Sequence, residues 1–580
     1  MIESQLTTLG LLFLFAIIGG LIAARFRQPV VLGLLVVGAL IGPNLLGLVN
    51  NQEMIEVMVD FGAILFLFVM GLEFSLRKLM KTGLKSIVVT VFKMSIMFFL
   101  GFGLIMILGL GPVTAAFVGV SIASSSTMII LNVLKQKNLI NKKEVPLIVA
   151  VLVLDDILGV VALTYFASMR QNGPLGVVPG LADLVISLTI LVFTYVILSK
   201  YAEKLVKWLT KHAGEEIVPF ISLGLCAGFA YLAFSLKLTP GAGAFLAGSV
   251  VSTFKDFKIF EHSIKPHSMM FTTFFFISMG TMVNFKAVIE YWQIIVILLV
   301  VMFLGLFIAM GLITKIFASF NSESAIFSSL IMLPPGIFSL LFARESMKFG
   351  VTIDLVSIIS VIILLTSIIM TFSIKYATKL NSRIDTSKPS VLGSRINKLS
   401  SYISSFFDEI DVENANTFRL KRKARKTFIL IIYALLFSAI SYKIVNYIGL
   451  QGLDRYLSLG SVLIVSIIII YFASQKGKEV NNLIIKILSG LEGGTREERI
   501  RRIVKNLERG ITFSLLGLIS PVVIFTFNGA AWYMTISLFL IIMGVFFFWR
   551  SMRLLTGVSM NHKYTVHTYR KINVKKSIYD

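Results

Sequence analysis

Charged residues are scarce in this chain, and cysteine is almost absent. Only 14% of the 580 residues are Asp, Glu, Lys or Arg, whereas 56% are hydrophobic. Soluble domains carry about a quarter charged residues, so the composition excludes an ordinary soluble protein. The single cysteine, Cys226, excludes an internal disulfide, and the five histidines lack metal-ligand spacing. No Gly-x-Gly-x-x-Gly motif occurs beyond residue 380, so a nucleotide-binding domain of that kind is not expected.

Acidic residues are few as well: the chain has 30 of them and 54 basic residues, which gives a net charge of +24. The basic residues lie in short clusters between apolar runs, a pattern that indicates membrane topology and not nucleic-acid binding. These clusters occupy alternate connections and begin at Arg25, Arg77, Lys135, Lys200 and Lys255. The positive-inside rule therefore places them in the cytoplasm and the N-terminus outside, in a protein integral to the plasma membrane and in contact with lipid.

Apolar runs of about 20 residues, long enough to cross a bilayer as helices, recur along the chain. The sequence predicts an all-α polytopic membrane protein whose residues 1–380 form a transmembrane domain with about thirteen helices. Their predicted bounds are 6–26, 29–49, 54–75, 86–109, 113–134, 146–168, 181–200, 217–237, 239–254, 268–285, 291–316, 324–345 and 352–376.

The character of the chain changes after residue 380. Residues 381–426 are predicted to form a charged cytoplasmic linker, and residues 427–580 an additional membrane domain of unknown function. Its four expected spans are 427–448, 456–474, 511–528 and 532–549. A basic helix near 496–509 is predicted on the cytoplasmic lipid surface, and a solvated connector is an equal alternative.

A weak internal repeat runs through the first domain. Residues 66–73 resemble residues 275–282, and in each half the second of the next three helices carries a helix-disrupting patch. The patches are 124–127, four hydroxyl residues, and Pro334-Pro335-Gly336. Because the copies lie an odd number of spans apart, they would run in opposite directions. Inverted repeats with two broken, crossing helices are typical of secondary transporters.

Two adjacent carboxylates, Asp155 and Asp156, lie about 15 Å into the predicted helix 146–168, near the bilayer midplane. An acidic residue there costs about 2.5–3.5 kcal/mol on insertion, so a functional role is favoured over a packing role. Burial and mutual repulsion both favour binding of a proton. A carboxylate that binds either a proton or a monovalent cation couples the two flows by competition. Neighbouring residues on a helix point about 100° apart, so the two carboxylates should have different tasks.

Neutral oxygen atoms must replace the water of a bound ion, and the preceding helix offers them. Ser125, Ser126 and Thr127, together with Ser124, supply hydroxyls at its middle, where they could also interrupt the helix and free carbonyls. Single serines in membrane helices are usually packing residues. The breaking triplet Pro334-Pro335-Gly336 would direct half-helix dipoles toward the same place.

The successive motifs resemble those of the sodium/hydrogen exchanger fold, in its Kef-like and NapA-like branch. Five of them occur in the family's order over about two thirds of the chain: residues 66–73, 124–127, 154–156, 241–248 and 275–280. The resemblance implies exchange of a monovalent cation, Na⁺ or K⁺, for protons without a cofactor. It also implies that Asp156 is the essential carrier, that the hydroxyl patch helps to coordinate the ion, and that a core domain moves against a dimerisation scaffold in a homodimer.

Two departures from the family pattern bear on the ion site. Many relatives carry a lysine in the helix that follows the second repeat motif, where it pairs with the first acid. Here residues 294–314 contain no basic residue, and Leu306 or Phe307 occupies that place. An electroneutral one-for-one exchange is therefore expected. The Gly-Glu-Phe motif of relatives is replaced by Gly336-Ile337-Phe338, which removes a carboxylate.

Lys93 lies about two turns inside the predicted helix 86–109, and two interpretations remain open. Its long side chain could reach back to the cytoplasmic edge, which is the preferred interpretation, or its ammonium could neutralise Asp155.

An alternative function is a cation channel or an ion-sensing membrane regulator in which the C-terminal spans receive the signal. An enzyme is not expected, because no nucleophile with a base appears at membrane depth.

Overall fold

The computed structural model describes residues 2–73, 83–172, 177–236, 238–254 and 257–384, together with isolated positions from residue 400 onward. The chain divides into two compact units. The first comprises Met1–Lys388, Leu430–Ile470 and Val522–Gly529, and the second comprises Pro389–Ile429, Tyr471–Pro521 and Ala530–Asp580. Apart from residues 381–384 and those isolated positions, the predicted linker, basic helix and four C-terminal spans lie outside the described residues.

The described part of the chain is helical throughout, with a single isolated β-bridge. The helices are α1 (Ile2–Arg25), α2 (Val30–Ile41), α3 (Gln52–Glu73), α4 (Gly83–Ile107), α5 (Pro112–Ala123), α6 (Thr127–Gln136), α7 (Val145–Asn172), α8 (Val177–Ala213), α9 (Val218–Ser235), α10 (Pro240–Val251), α11 (Phe257–Thr281), α12 (Phe285–Glu290), α13 (Trp292–Leu306), α14 (Ile313–Phe317), α15 (Ser322–Ile331), α16 (Ile337–Met347) and α17 (Leu355–Ile384). A π-helical turn, Phe307–Leu312, joins α13 to α14.

Seven segments of the described residues are long and apolar enough to cross a membrane. They are Gln5–Arg25, Gln52–Leu72, Lys85–Ile107, Val145–Ala167, Val218–Ser235, Trp292–Phe317 and Leu355–Ile374. The shorter apolar helices α2, α5 and α10 have 12 residues each. An all-helical membrane protein is therefore confirmed.

Several boundaries differ from the sequence prediction. Helix α2 ends at Ile41 and not at residue 49, because Gly42 adopts an extended conformation and Pro43, which follows, has no N–H to donate. Helix α8 continues to Ala213, whereas the sequence suggested an end near residue 200. Helix α11 begins at Phe257, eleven residues before the predicted start.

Helices α1, α2, α3, α9, α10 and α11 pack against one another and form what we call the first bundle. Glycines bring some of these backbones very close together. A Cβ atom at Gly71 of α3 would lie 2.0 Å from the carbonyl oxygen of Phe245 in α10, and one at Gly248 would lie 1.9 Å from that of Phe68. Only glycine fits these positions. Cys226 is buried in the same bundle and serves packing.

Helices α4 to α7 and α13 to α17 form the second bundle. The long helix α8 contacts both bundles, and α7 of the second bundle also packs against α10 of the first. The two interrupted helix pairs, α5 with α6 and α15 with α16, both belong to the second bundle. Each pair covers roughly the length of one span, so each interruption lies near the middle of its pair.

Candidate ion-binding site

The two interrupted helices cross at their breaks and are joined there by backbone hydrogen bonds. The Ser126 N–H donates to the carbonyl oxygen of Pro334 at 2.9 Å, and the Gly336 N–H donates to that of Ser124 at 3.3 Å. Ser125 and Pro335 form the antiparallel bridge between them. Proline cannot continue a helix, so consecutive prolines open the second break and leave carbonyls for the first. The sequence predicted both breaks; their pairing is a finding of the structure.

Side chains reinforce the crossing on one side of the breaks. The Ser339 hydroxyl donates to the carbonyl oxygen of Ser121 at 2.5 Å, and the Ser121 hydroxyl donates to that of Ser339 at 3.3 Å. These residues lie in α16 and α5, which therefore are held together as a unit. On the other side, the Ser126 hydroxyl accepts a hydrogen bond from the Ile129 N–H at 3.3 Å and caps the start of α6.

Asp156 lies beside the start of α6. The Thr127 hydroxyl, at the first position of that helix, donates to Oδ2 of Asp156 at 2.7 Å. Asp156 is buried, with only 6% of its surface exposed. The carboxylate therefore sits at the positive end of a half-helix, in reach of a hydroxyl that the sequence analysis also selected.

Asp155 is paired with Lys93, and neither residue has any exposed side-chain surface. The Lys93 ammonium donates to Oδ2 of Asp155, to the carbonyl oxygen of Ala123 at 2.6 Å and to the Ser125 hydroxyl at 2.9 Å. The preferred sequence interpretation, in which Lys93 reaches the cytoplasmic edge, is wrong. Three acceptors, one of them charged, satisfy the three N–H groups of the ammonium inside the protein, and this offsets the loss of water.

Ser125 is fully engaged by its neighbours. Its hydroxyl accepts from Lys93 and donates to the carbonyl oxygen of Met332 at 2.9 Å. By contrast, Oδ1 of Asp155 and the Ser124 hydroxyl are buried without a hydrogen-bond partner among the described residues. The hydroxyls of the patch thus have different tasks: those of Ser125 and Ser126 bind backbone groups, that of Thr127 contacts Asp156, and that of Ser124 has no hydrogen-bond partner among the described residues.

An aromatic ring packs against the helix of the two carboxylates. A Cβ atom at Gly159, one turn after Asp155 and Asp156, would lie 2.8–3.0 Å from ring atoms of Phe338. Phe338 is buried and is the second residue of α16. Ile337, at the position where the family resemblance suggested a carboxylate, is also buried. The second break therefore brings apolar side chains and backbone carbonyls to this region.

Two further contacts of charged groups were not predicted from the sequence. Glu144, which precedes α7, accepts a hydrogen bond from the Ser324 hydroxyl and is buried, although its neighbours Lys142 and Lys143 had suggested an ordinary cytoplasmic loop. Arg344 of α16 pairs with Asp60 of α3. A buried serine or a distant arginine leaves no local pattern that would have revealed these contacts.

The place at which the family resemblance suggested a lysine coincides with an irregular helix. Leu306 ends α13, and the π-helical turn begins at Phe307. Ala309, Met310 and Gly311 of this turn are buried. The turn packs against α4, the helix of Lys93, and against α15. π-Helical turns are frequent at functional sites.

Comparisons with known proteins agree on one family. Residues 11–380 match the family described as sodium/hydrogen exchanger, transmembrane. The chain is 29% identical over 337 residues to the probable Na⁺/H⁺ antiporter GerT of Bacillus cereus, which covers 57% of this chain and 87% of that protein. It is 29% identical over 364 residues to a Na⁺/H⁺ antiporter of Enterococcus hirae, which covers 62% and 95% of the two chains.

A K⁺ efflux antiporter of Arabidopsis thaliana is 26% identical over 337 residues, covering 57% of this chain and 56% of its own. Among solved structures, the sodium proton antiporter MjNhaP1 of Methanocaldococcus jannaschii has a similar fold, with a TM-score of 0.51 and 18% identity. The similarity covers 65% of this chain and 99% of MjNhaP1.

Proposed function

Since the chain belongs to the sodium/hydrogen exchanger family, we propose that it exchanges a monovalent cation, Na⁺ or K⁺, for protons by alternating access, with Asp156 binding proton and cation in turn. The relatives named as Na⁺/H⁺ and K⁺ antiporters support both ions. The size of the cavity and the placement of its oxygens decide between them.

The observation that carries this proposal is the different surroundings of the two carboxylates. Asp155 is paired with the Lys93 ammonium, whereas Asp156 lies at the start of α6 and accepts a hydrogen bond from the Thr127 hydroxyl. A negative charge at membrane depth is costly, so a carboxylate there favours the binding of a proton or a metal cation. Asp156 can therefore exchange one for the other, and Asp155 has the task of keeping Lys93 and the crossing in place.

This arrangement supports electroneutral exchange. While Lys93 and Asp155 remain paired, their charges cancel in every step. Asp156 then carries one positive charge in each direction, as a proton one way and as Na⁺ or K⁺ the other way. One-for-one exchange was expected because residues 294–314 hold no lysine to pair with Asp155. Since Lys93 of another helix pairs with Asp155, the proposal now rests on this pair staying together and not on the absence of a lysine.

The finer architecture belongs to the same proposal. We propose about thirteen spans in residues 1–380, arranged as inverted repeats, with the N-terminus outside the plasma membrane. The crossing of two interrupted helices, one in each half, supports the repeats. The first bundle would be the dimerisation scaffold of a homodimer, and the second would be the moving core. A charged linker and a C-terminal membrane domain of about four spans would follow.

Purified protein in proteoliposomes tests the proposal. A pH gradient should drive uptake of Na⁺ or K⁺, and Asp156→Asn should abolish it. Glu323→Gln, which changes a carboxylate that is 40% exposed, is the matched control and should keep exchange. Full activity of Asp156→Asn would contradict the proposal. A flux that follows voltage and ignores the pH gradient would favour a channel. Currents on a solid-supported membrane after Na⁺ and K⁺ jumps would report the preferred ion and any net charge movement.

A further inference from the structure

An ion pair connects the two bundles. Nη1 of Arg344 donates to Oδ1 of Asp60. Arg344 belongs to α16 of the second bundle, next to the aromatic side of the ion site, and Asp60 belongs to α3 of the first bundle. The Arg344 side chain is 12% exposed and that of Asp60 is 63% exposed. The pair therefore lies at the edge of the interface between the bundles, with the carboxylate turned to the surroundings.

Both residues lie toward the same face of the membrane. Helix α3 begins at Gln52, eight residues before Asp60, and α16 ends at Met347, three residues after Arg344. In the proposed orientation, the start of α3 and the end of α16 are both at the outer face. On the opposite face, the Thr371 hydroxyl of α17 reaches Oε1 of Gln28, between α1 and α2, at 3.4 Å. Of these two contacts between the bundles, the one between Arg344 and Asp60 joins charged groups, whereas the one between Thr371 and Gln28 joins neutral groups.

Other charges near the end of α16 are arranged differently. Lys348, which follows the helix, pairs with Glu345 at 2.9 Å within the same element. Both residues of such a contact move together, so a displacement of the bundles does not change the distance between them. The pair of Arg344 with Asp60 is sensitive to it, because a hydrogen bond is lost when donor and acceptor separate by more than about 3.5 Å.

We propose that Arg344 and Asp60 form an outer latch, which holds the two bundles together in the conformation described here and opens once in each transport cycle. The inference rests on the proposed alternating-access function. A partly exposed ion pair suits this task, since it stabilises one state only modestly and can break within a turnover. A fully buried pair such as Lys93 with Asp155 would be too costly to separate.

Cross-linking tests the latch directly. Cys226, the only cysteine of the chain, is buried, so new cysteines can be modified selectively. In the Asp60→Cys/Arg344→Cys variant, a cleavable bifunctional thiol reagent about as long as an arginine side chain should stop exchange, and cleavage should restore it. Each single-cysteine variant treated with the same reagent is the control and should keep exchange. A cross-linked protein that exchanges at the rate of the untreated variant would overturn the latch.

Charge reversal provides a second test. Asp60→Arg and Arg344→Asp should each change the apparent affinity for the external cation about two- to fivefold, the range expected for one exposed pair. The double variant Asp60→Arg/Arg344→Asp should return toward the wild-type value. Lys348→Gln, which removes a cation paired within its own element, should change it less. Additive effects in the double variant, or an equal effect of Lys348→Gln, would overturn the latch.

The two proposals fail in different ways. If the wild-type protein shows no cation-driven proton movement, the antiporter function is contradicted. If the wild type exchanges and the cross-linked variant does so equally well, only the latch is contradicted.

Discussion

Lys93 and Asp155, 62 residues apart in the sequence, form an ion pair without any exposed side-chain surface. The same ammonium also binds the last carbonyl of α5, that of Ala123. One cation therefore neutralises an aspartate and the negative end of a half-helix together.

Replacing one member of this pair should lower the stability of the protein far more than replacing both. Lys93→Met and Asp155→Asn are each expected to destabilise the protein by about 3–5 kcal/mol, because each leaves a buried polar group without its partner. The double variant should recover a large part of that loss. Thermal unfolding of the four proteins in detergent would give the coupling free energy, and additive effects would show that the pair contributes no coupling.

Exchange activity should also survive the replacement of both members of the pair. If Asp156 is the carrier, Lys93→Met/Asp155→Asn should still move cations against protons without net current. Measurable net charge movement in the wild type, together with its loss in this double variant, would show that Lys93 itself takes part in the transport of charge.

The hydroxyl of Thr127 should contribute to ion binding. Thr127→Val removes the hydrogen bond to Asp156 and nearly preserves the side-chain shape, so the apparent KM for the cation should rise roughly tenfold, as expected for a hydrogen bond to a charged group. Thr127→Ser keeps the hydroxyl and should stay close to the wild type. An equal KM in the Val and Ser variants would exclude a role for this hydroxyl.

Helix packing in the first bundle should depend on its glycines. Gly71→Ala would place a Cβ atom 2.0 Å from the carbonyl oxygen of Phe245 and should destabilise the protein by about 1–3 kcal/mol or more. Gly224→Ala in α9 is the matched control, because no atom lies within 4 Å of its added Cβ. Thermal unfolding should separate the two variants; similar stabilities would show that the bundles relax freely around residue 71.

The contact between Gly159 and Phe338 gives a prediction for the site. Gly159→Ala should displace the Phe338 ring, which lies 2.8–3.0 Å from the added Cβ, and should lower the exchange rate. Adding Phe338→Leu, a smaller side chain, should restore part of the rate. If the second substitution lowers exchange further, the ring has a role beyond filling this space.

The sequence was sufficient for features that depend on local composition. It predicted an all-helical membrane protein, the two helix breaks and the position of Asp155 and Asp156 within one helix, because apolar runs, prolines and helix lengths depend on nearby residues. Pairings over long distances were not predictable. A cytoplasmic position for Lys93 was a reasonable prediction for an isolated helix. It is wrong because Asp155 and the carbonyl oxygen of Ala123, which belong to other helices, lie within hydrogen-bond distance of its ammonium.

The same reason explains the boundaries and contacts that were missed. The end of α2 at Ile41 depends on the backbone of Gly42, which a hydropathy pattern does not show. Arg344 and Asp60 lie 284 residues apart, and only the packing of α16 near α3 brings them together. Glu144 and Ser324 lie 180 residues apart, so the sequence around Glu144 does not indicate this contact.

Two hydrogen bonds between peptide groups link the broken helices at their crossing. Ser126 and Gly336 contribute N–H groups, so these two positions reject proline, whereas Ser124 and Pro334 contribute only carbonyls. These two hydrogen bonds therefore do not depend on the serine side chains of positions 124 and 126. A substitution of either serine that alters the surroundings of the ion can therefore leave the backbone link between the two broken helices in place.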